Sequence, residues 1–584
     1  MADGLARDRA TTTTNQALSA HGGSLLNLYL APAQVEAKVR ALTGLPALVL
    51  TPRQACDLEL LLNGAFSPLT GFLKQADYQR VLSELRLADG TLWSIPITLD
   101  VSEAFAAKLQ IGGELVLTDV EGAPNAVLNI EELYRPDRAL EAQQVFGSSD
   151  LAHPGVRSLL QDSQPVYVGG SVQGLRAPRH FDFNTLRLSP RELRERLAQA
   201  GHARVVAFQT RNPLHRAHKE LTERAAKQSE AHLLLHPVVG LTKPGDVDHF
   251  TRVRCYQALL PHYAAGTVTL ALLNLAMRMA GPREALWHAI IRKNFGATAF
   301  IVGRDHAGPG NNSQGQPFYS PYAAQELTLA HAEELGIAIL PFSEVVYAAN
   351  RNAYLSREQL VPGDEVRDIS GTELRRLLHA GEELPTWYTF PEVAKVLQER
   401  HPPKNRRGVT VFFTGLSGSG KSTLAQGLLE KLLERSGRPA TLLDGDEVLL
   451  HLSKGLGFCK EDRSTNIRRI GYVAAEISRH GGISIAAPIA PYTEDRLAAR
   501  LCVEGYGAEF IEVHVSTPIE VCEARDRKGL YAKARAGELK GFTGIDDPYE
   551  APTSAELVLD ASTHSAEELV GQILAELAKR GLVA

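Results

Sequence analysis

The sequence predicts a multidomain α/β protein, and three observations carry that prediction. Residues 24–180 run in short β segments between frequent turns, residues 181–342 alternate helix with strand, and residues 409–584 open on a strand, a glycine-rich loop and a helix. At 584 residues the chain has room for about four structural units. Its 44% hydrophobic and 22% charged content is that of an ordinary soluble globular chain. A net charge of −5 leaves no basic footprint for nucleic acid, so any nucleotide is expected to be a small molecule. Five cysteines stand singly, without a Cys-x-x-Cys pair, which points away from zinc and from a disulfide framework and toward a reducing cytoplasm. The longest apolar stretch, residues 267–280, is broken by Asn274 and Arg278, so no membrane span is expected.

In chain order, residues 1–23 are polar and small, and are expected to form a flexible tail with no secretory apolar core. The β-rich region 24–180 follows, with runs at 47–50, 94–101, 114–118 and 165–170, and with a turn-rich apolar loop at 64–73 that reads on composition as a packed loop. Ser189 caps a helix from Pro190, and the strands 204–208 and 298–303 then belong to a parallel sheet, where ligands sit beyond the carboxyl ends of strands. Residues 343–399 form a small mixed segment with an amphipathic helix at 371–380, and the proline-rich, basic stretch 400–408 is the linker candidate.

The first chemical cluster lies at the end of strand 204–208. Gln209, Arg211, Asn212, His215 and His218 follow that strand, and His215 and His218 share one face of the first turn of the next helix. With Arg211, Arg216 and Lys219 they are suited to surround a polyphosphate; a metal pair is the other reading, but no third ligand stands nearby. A second cluster contains Arg283, His288, Arg292 and Asn294, and a third, Arg304-Asp305-His306, again follows a strand.

The C-terminal region carries the most specific motif. Gly415-Leu416-Ser417-Gly418-Ser419-Gly420-Lys421-Ser422-Thr423 fits Gly-x-x-x-x-Gly-Lys-[Ser/Thr] between a β run and an amphipathic helix. Its glycines turn backbone N–H groups onto an anion, the helix N-terminus adds positive charge, Lys421 reaches the β- and γ-phosphates, and Ser422 is the Mg²⁺ ligand. Asp444 and Asp446 end the next strand, where a carboxylate orients Mg²⁺ or accepts a hydroxyl proton.

These segments carry two resemblances. Gln209–His218, Gly281–Ala285 and Gly303–Gly308, with Gly64–Leu73, resemble the signatures of the sulfate adenylyltransferase (ATP sulfurylase) family over nearly all of residues 24–395. The resemblance implies a PUA-like β-rich domain (24–180), a HIGH-type nucleotidyltransferase domain (181–342) and a small third domain (343–399). It also implies that Gln209 and Arg211 hold sulfate, that His215 and His218 stabilise pyrophosphate, and that Arg283 sits near the reacting phosphoryl group. Asn212 and the Arg304-Asp305-His306 loop would contact the nucleotide. Ala299 departs from the family, which often has His there.

Residues 405–584 resemble the adenylylsulfate (APS) kinase family almost end to end. That resemblance implies a P-loop kinase domain (409–584) with Asp446 as base, Phe458 and Phe542 stacking on the adenine, and Arg463, Asn466 and Lys528 holding the sulfated nucleotide. The stretch 528–542 would be a lid. Leu449 stands where the family usually has Arg, and Ala490 where it has Ser. Together the resemblances imply ATP, sulfate and APS as substrates, Mg²⁺ as cofactor, no zinc, and a homo-oligomer. The expected activity is two-step sulfate activation to 3′-phosphoadenylyl sulfate (PAPS). The alternatives are a regulatory kinase-like domain behind a working sulfurylase, or a sulfurylase run in reverse to make ATP.

Overall fold

Seven strands make the N-terminal sheet: Ala47–Val49 (β1), Gly71–Phe72 (β2), Asp100–Val101 (β3), Glu114–Thr118 (β4), Pro124–Asn129 (β5), Glu132–Tyr134 (β6) and Val166–Gly174 (β7). β7 is the spine, pairing antiparallel with β2, β3, β5 and β6; β4 lies beyond β5, and β1 closes the edge parallel to β4. The structure, a computed structural model, describes residues 18–583 apart from 401, 436, 458, 527 and 528, and gives the backbone alone at 372, 379, 446 and 449.

Two expectations for this region change. Of the run 94–101, only β3 joins a ladder; Ser94, Ile95, Ile97 and Leu99 are buried as extended chain, and Pro96 has no N–H to give a neighbour. The region also holds more helix than its short β runs suggest, in Pro52–Leu62, Gln75–Glu84 and Arg138–Phe146. Thr51 starts the first with a capping box to Gln54 and Asp137 caps the third, and all three put their apolar faces into the core shared with the sheet. The loop 64–73 is packed as its composition predicts: Phe66 is fully buried with Trp93 and Trp287 at 6.0 and 5.2 Å.

The second sheet is all parallel. Val205–Phe208 (β8), His232–Leu235 (β9), Val268–Leu270 (β10), Ala299–Val302 (β11) and Ala338–Pro341 (β12) lie in the order β10-β9-β8-β11-β12. The chain winds outward in both directions from β8, so the crevice outside the carboxyl ends of β8 and β11 is the topological switch point. A three-stranded antiparallel sheet, Val345–Ala348 (β13), Ala353–Ser356 (β14) and Val366–Arg367 (β15), follows. The chain divides into two compact units. One contains the described residues through Ile369 with Pro385–Leu397; the other contains Ser370–Leu384 and the described residues from Gln398 on.

The second unit has a parallel sheet of its own: Val409–Thr414 (β16), Ala440–Asp444 (β17), Ile483–Ala487 (β18), Glu509–Val515 (β19) and Leu557–Leu559 (β20), in the order β17-β18-β16-β19-β20. Every residue of β16 is buried, as a central strand covered on both faces requires. The stretch before it is anchored within this unit, because Arg438 donates to the carbonyls of Asn405 and Arg407. Among the described residues, no helix is long and apolar enough to cross a membrane.

Buried charge ties the first unit together. Asp57 is fully buried and accepts from Arg53 at 3.1 Å and from Arg278 at 2.6 Å, which joins helix Pro52–Leu62 to the segment leading into helix Gly281–Asn294. Asp57→Asn takes the paired carboxylate from Arg278, while Arg53 keeps Asp100. It is expected to destabilise this unit by about 3 kcal/mol, read as a lower denaturant midpoint with the second unit's transition unchanged.

A second anchor is pH-dependent. His153 is fully buried; its Nδ1 accepts the N–H groups of Gly155 and Val156, and its Nε2 meets the Tyr319 hydroxyl at 3.0 Å. Burial pushes its pKa down to about 4. Between that value and the ordinary imidazole range, the unfolded chain binds a proton that the fold refuses, so the contribution is full above about pH 6.5 and is lost as pH falls toward 4. The stability advantage of the wild type over His153→Asn is therefore expected to shrink by about 2 kcal/mol between pH 7 and pH 4.5, measured by urea titration at each pH.

Candidate functional site

The carboxyl ends of β8 and β11 open on a cleft of about 370 Å³, lined by Gln209, Arg211, Asn212, His215 and His218 on one side and by Arg304, Asp305 and His306 on the other. The β8 loop is fixed from below: Arg252 donates to the Arg211 carbonyl at 2.8 Å and the Tyr256 hydroxyl to that of Asn212 at 2.8 Å. The Arg211 side chain is paired through Nη1 with Asp246 at 2.6 Å. The β11 loop holds Asp305 and Ala307 at φ of +52° and +55°, a left-handed backbone that non-glycine residues adopt at a cost. A Cβ on Gly308 would meet Asp305 Oδ1 at 1.9 Å, so any larger residue there would push the Asp305 carboxylate out of its place.

His215 caps helix Arg216–Gln228 from outside, and its N–H donates to His218 Nδ1 at 3.2 Å. His218 is therefore bare at Nδ1 and keeps Nε2 for a ligand. His215 Nδ1 meets Thr389 Oγ1 at 2.9 Å, and its ring lies 4.3 Å from Tyr388. Burial and the neighbouring His218 hold His215 well below the ordinary imidazole range, and burial takes His218 down to about 4. Both rings are neutral at pH 7 in the ligand-free cleft, and an anion beside them raises their affinity for protons.

Some expected members lie elsewhere. Arg283 does not reach the cleft: its guanidinium donates to the carbonyls of Val81 and Leu82 at 3.0 and 2.7 Å, binding the end of helix Gln75–Glu84. Its place in the helix Gly281–Asn294 turns it toward the N-terminal sheet, while Arg304 of the β11 loop supplies the cleft's second arginine. Arg216 stacks on Phe390 at 4.0 Å and Lys219 pairs with Glu223 at 2.6 Å, so neither joins the polyphosphate surround. Sequence reasoning missed Asp246, Asp368, Trp387 and Tyr388, which come to the cleft from distant parts of the chain. The aromatic pair Trp387-Tyr388 was the one available signal.

In the second unit, the loop after β16 and the end of β17 face a cleft of about 770 Å³. Gly415, Gly418 and Gly420 have φ of +149°, +73° and +110°, which is why glycine occupies these turns. Ser417, Gly418, Gly420, Lys421, Ser422 and Thr423 line the cleft, whereas Ser419 is fully buried and its carbonyl accepts from Thr517 at 2.9 Å. Lys421 Nζ donates to the carbonyls of Gly415 and Leu416 at 2.9 and 2.7 Å, folded over its own loop. Ser422 Oγ donates to Asp444 Oδ1 at 2.9 Å. Two hard oxygen donors side by side at the loop's mouth fit a magnesium ion.

Arg463, Asn466 and Phe542 also line this cleft. Arg463 bonds Asp547 at 2.8 Å and reaches Thr543 and the Gly541 carbonyl, so it anchors the base of the stretch expected to be a lid. Asn466 Oδ1 is buried without a partner among the described residues, an acceptor available to a ligand. Phe542 packs edge-on against Tyr531 at 5.0 Å, and the Tyr531 hydroxyl donates to the Ser417 carbonyl at 2.9 Å, linking helix Leu530–Arg535 to the phosphate loop. Asp446 lies in helix Gly445–His451, two residues beyond where the strand stops; its side chain, that of Leu449, and all of Phe458 and Lys528 lie outside the described residues.

Comparison with known proteins matches the chain domain by domain. A family model described as a PUA-like domain matches residues 18–177, one described as ATP-sulfurylase matches residues 184–400, and one described as adenylylsulphate kinase matches residues 407–560. A sulfate adenylyltransferase of Aspergillus fumigatus is 52% identical over 96% of this chain and 98% of its own, and one of Mycosarcoma maydis is 52% identical over 96% and 99%. A solved structure described as a hexameric APS kinase from Thiobacillus denitrificans superposes with a TM-score of 0.78 at 36% identity, covering 97% of this chain and 100% of that one. The chain therefore belongs to the sulfate adenylyltransferase family, in the form with a C-terminal adenylylsulfate kinase domain, and its two catalytic domains support two-step sulfate activation, first to APS and then to PAPS.

Proposed function

We propose the following division of labour between the two clefts. In the first, Gln209 and Arg211 hold sulfate, Asn212 and the Arg304-Asp305-His306 loop hold ATP, and His215 and His218 face the pyrophosphate. The observation that supports this reading is the convergence of the β8 and β11 loops at the switch point, with a histidine whose Nε2 is left for a ligand. A sulfate oxygen attacks the α-phosphorus as the bond to the β-phosphate oxygen breaks, and pyrophosphate leaves with the electron pair. Sulfate is already a dianion, so no base is needed, and the work is positioning and charge neutralisation.

In the second cleft, Lys421 and the loop amides of Gly418, Gly420, Ser422 and Thr423 hold the ATP phosphates, and Ser422 and Asp444 hold Mg²⁺. The ion would neutralise charge between the β- and γ-phosphates. Lys421 must leave the carbonyls of Gly415 and Leu416 to reach them. Arg463, Asn466, Lys528, Phe458 and Phe542 take APS. The 3′-hydroxyl attacks the γ-phosphorus, its proton goes to Asp446, and ADP leaves. The reading places the protein in the cytoplasm, where its cysteines stay reduced.

A crossed experiment tests the assignment. Lys421→Ala is expected to lower PAPS formation from ATP and APS by about 100-fold or more while APS synthesis stays within about twofold, and Arg211→Ala is expected to do the reverse. Loss of both activities in either variant, with the fold intact, refutes the division.

The same reading includes a homo-oligomer, supported by the solved structure's description as hexameric. Sedimentation equilibrium is expected to give an integral multiple of 63.4 kDa; a monomer at micromolar concentration refutes it.

A further inference from the structure

Behind the first cleft, His306 of the β11 loop is backed by two side chains, His288 and Glu284, that the proposed chemistry does not use. His306 lines the cleft, and its Nε2 is 3.0 Å from Nδ1 of His288. His288 Nε2 in turn lies 3.4 Å from Oε1 of Glu284, within ion-pair reach but not aligned as a hydrogen bond. His288 and Glu284 are one turn apart on helix Gly281–Asn294, and both are fully buried.

Burial raises the affinity of Glu284 for a proton, and its hydrogen bonds together with the Arg278 charge pull it back toward the anion. It accepts the N–H of Arg278 at 3.0 Å and that of Ala280 at 2.8 Å, in the first turn of its helix, where the dipole favours negative charge. A carboxylate only accepts, so His288 turns Nε2–H toward it and offers Nδ1 as acceptor, and His306 donates Nε2–H to that nitrogen; the tautomers follow from the network. His306 Nδ1 is then its one site for a further proton.

Burial is the largest influence that keeps that site empty, and the charges around His306 modulate it. Arg292 and His288 from the helix and Arg211 from the β8 loop oppose a proton, and Glu284 favours it; Arg304 and Asp305 are its neighbours in its own loop. With burial opposing the proton most strongly, the ligand-free ring is neutral. A polyphosphate in the cleft brings several negative charges to the same place and reverses the balance.

We propose that Glu284, His288 and His306 form a charge relay in which binding of pyrophosphate, or of the ATP triphosphate, draws one proton from solvent onto His306. No other bond changes: the proton comes from the buffer, and the imidazolium is held through His288 against the buried Glu284 carboxylate. His306 faces the ligand, and His288 and Glu284 are positioning residues. The proposal rests on the reading of this cleft as the sulfurylase site.

The test is titration calorimetry of pyrophosphate into the full chain at pH 7.5, in two buffers of different ionisation enthalpy, which counts the protons taken up. The phosphate loop of the second unit contributes equally to every variant and cancels in differences. The wild type is expected to take up about 0.5–1 proton more than His306→Asn, and His288→Asn and Glu284→Gln are expected to lose most of that excess. If a buried variant does not fold, His306→Asn at the cleft rim decides alone. Equal proton counts in wild type and His306→Asn, with pyrophosphate affinity still weakened by His218→Asn, overturn the relay alone. Affinity unchanged in His218→Asn overturns the relay together with the reading of the cleft.

Discussion

Burial of the helix Gly281–Asn294 on nearly all sides is the constraint that the first unit is built to satisfy, because the helix carries Glu284, His288, Arg292, Lys293 and Asn294 into that burial with it. Each polar group brought out of water needs a partner. Asn294 finds one in the backbone of the loop 64–73, donating to the carbonyls of Ala65 and Ser67 at 3.0 Å and accepting from His21 at 2.8 Å. Arg292 donates to the His236 carbonyl at 3.0 Å, just past the end of β9. Arg283 takes two carbonyls of the N-terminal region, and Arg278, just ahead of the helix, pairs with Asp57. The helix is thus sewn to the N-terminal sheet region on one side and to the catalytic sheet on the other. The β11 loop is tied to it through His306 and His288, while the β8 loop is held by Arg252 and Tyr256.

The two clefts handle phosphate by different means. In the second unit the phosphate loop does so with backbone: glycines at positive φ turn amides inward, and the only cation in the loop, Lys421, is held on its own carbonyls. That arrangement is local, and nine consecutive residues specify it. In the first unit the anion site is made of side chains from separate strands, kept neutral or counter-paired until a ligand arrives. His215 and His218 are neutral through burial, and Arg211 is paired with Asp246. A site of this kind has no continuous motif, since its charges balance only when distant loops are brought together.

That difference explains how much could be read in advance. The parallel sheets, the capped helix from Pro190, the phosphate loop and the cluster at Gln209–His218 follow from patterns within a few residues of one another, and the structure has all of them. Arg283 was misread because a motif says which residues stand together in sequence, not which way a buried helix turns them. The run 94–101 was misread for a related reason: its β-branched and apolar residues are suited to burial, and burial without a ladder partner leaves extended chain.

By itself, then, the sequence determined the local chemistry: which loop turns its amides on a phosphate, which strand ends carry the histidines, and which residues cap the helices. The tertiary structure alone decided the partnerships across the chain. Asp246 came to Arg211, Thr389 to His215, and Glu284 through His288 to His306. The physical reason is that a turn or a cap is settled by dihedral preference and hydrogen bonds among neighbours, whereas the charge state of a buried side chain depends on every group that folding places around it.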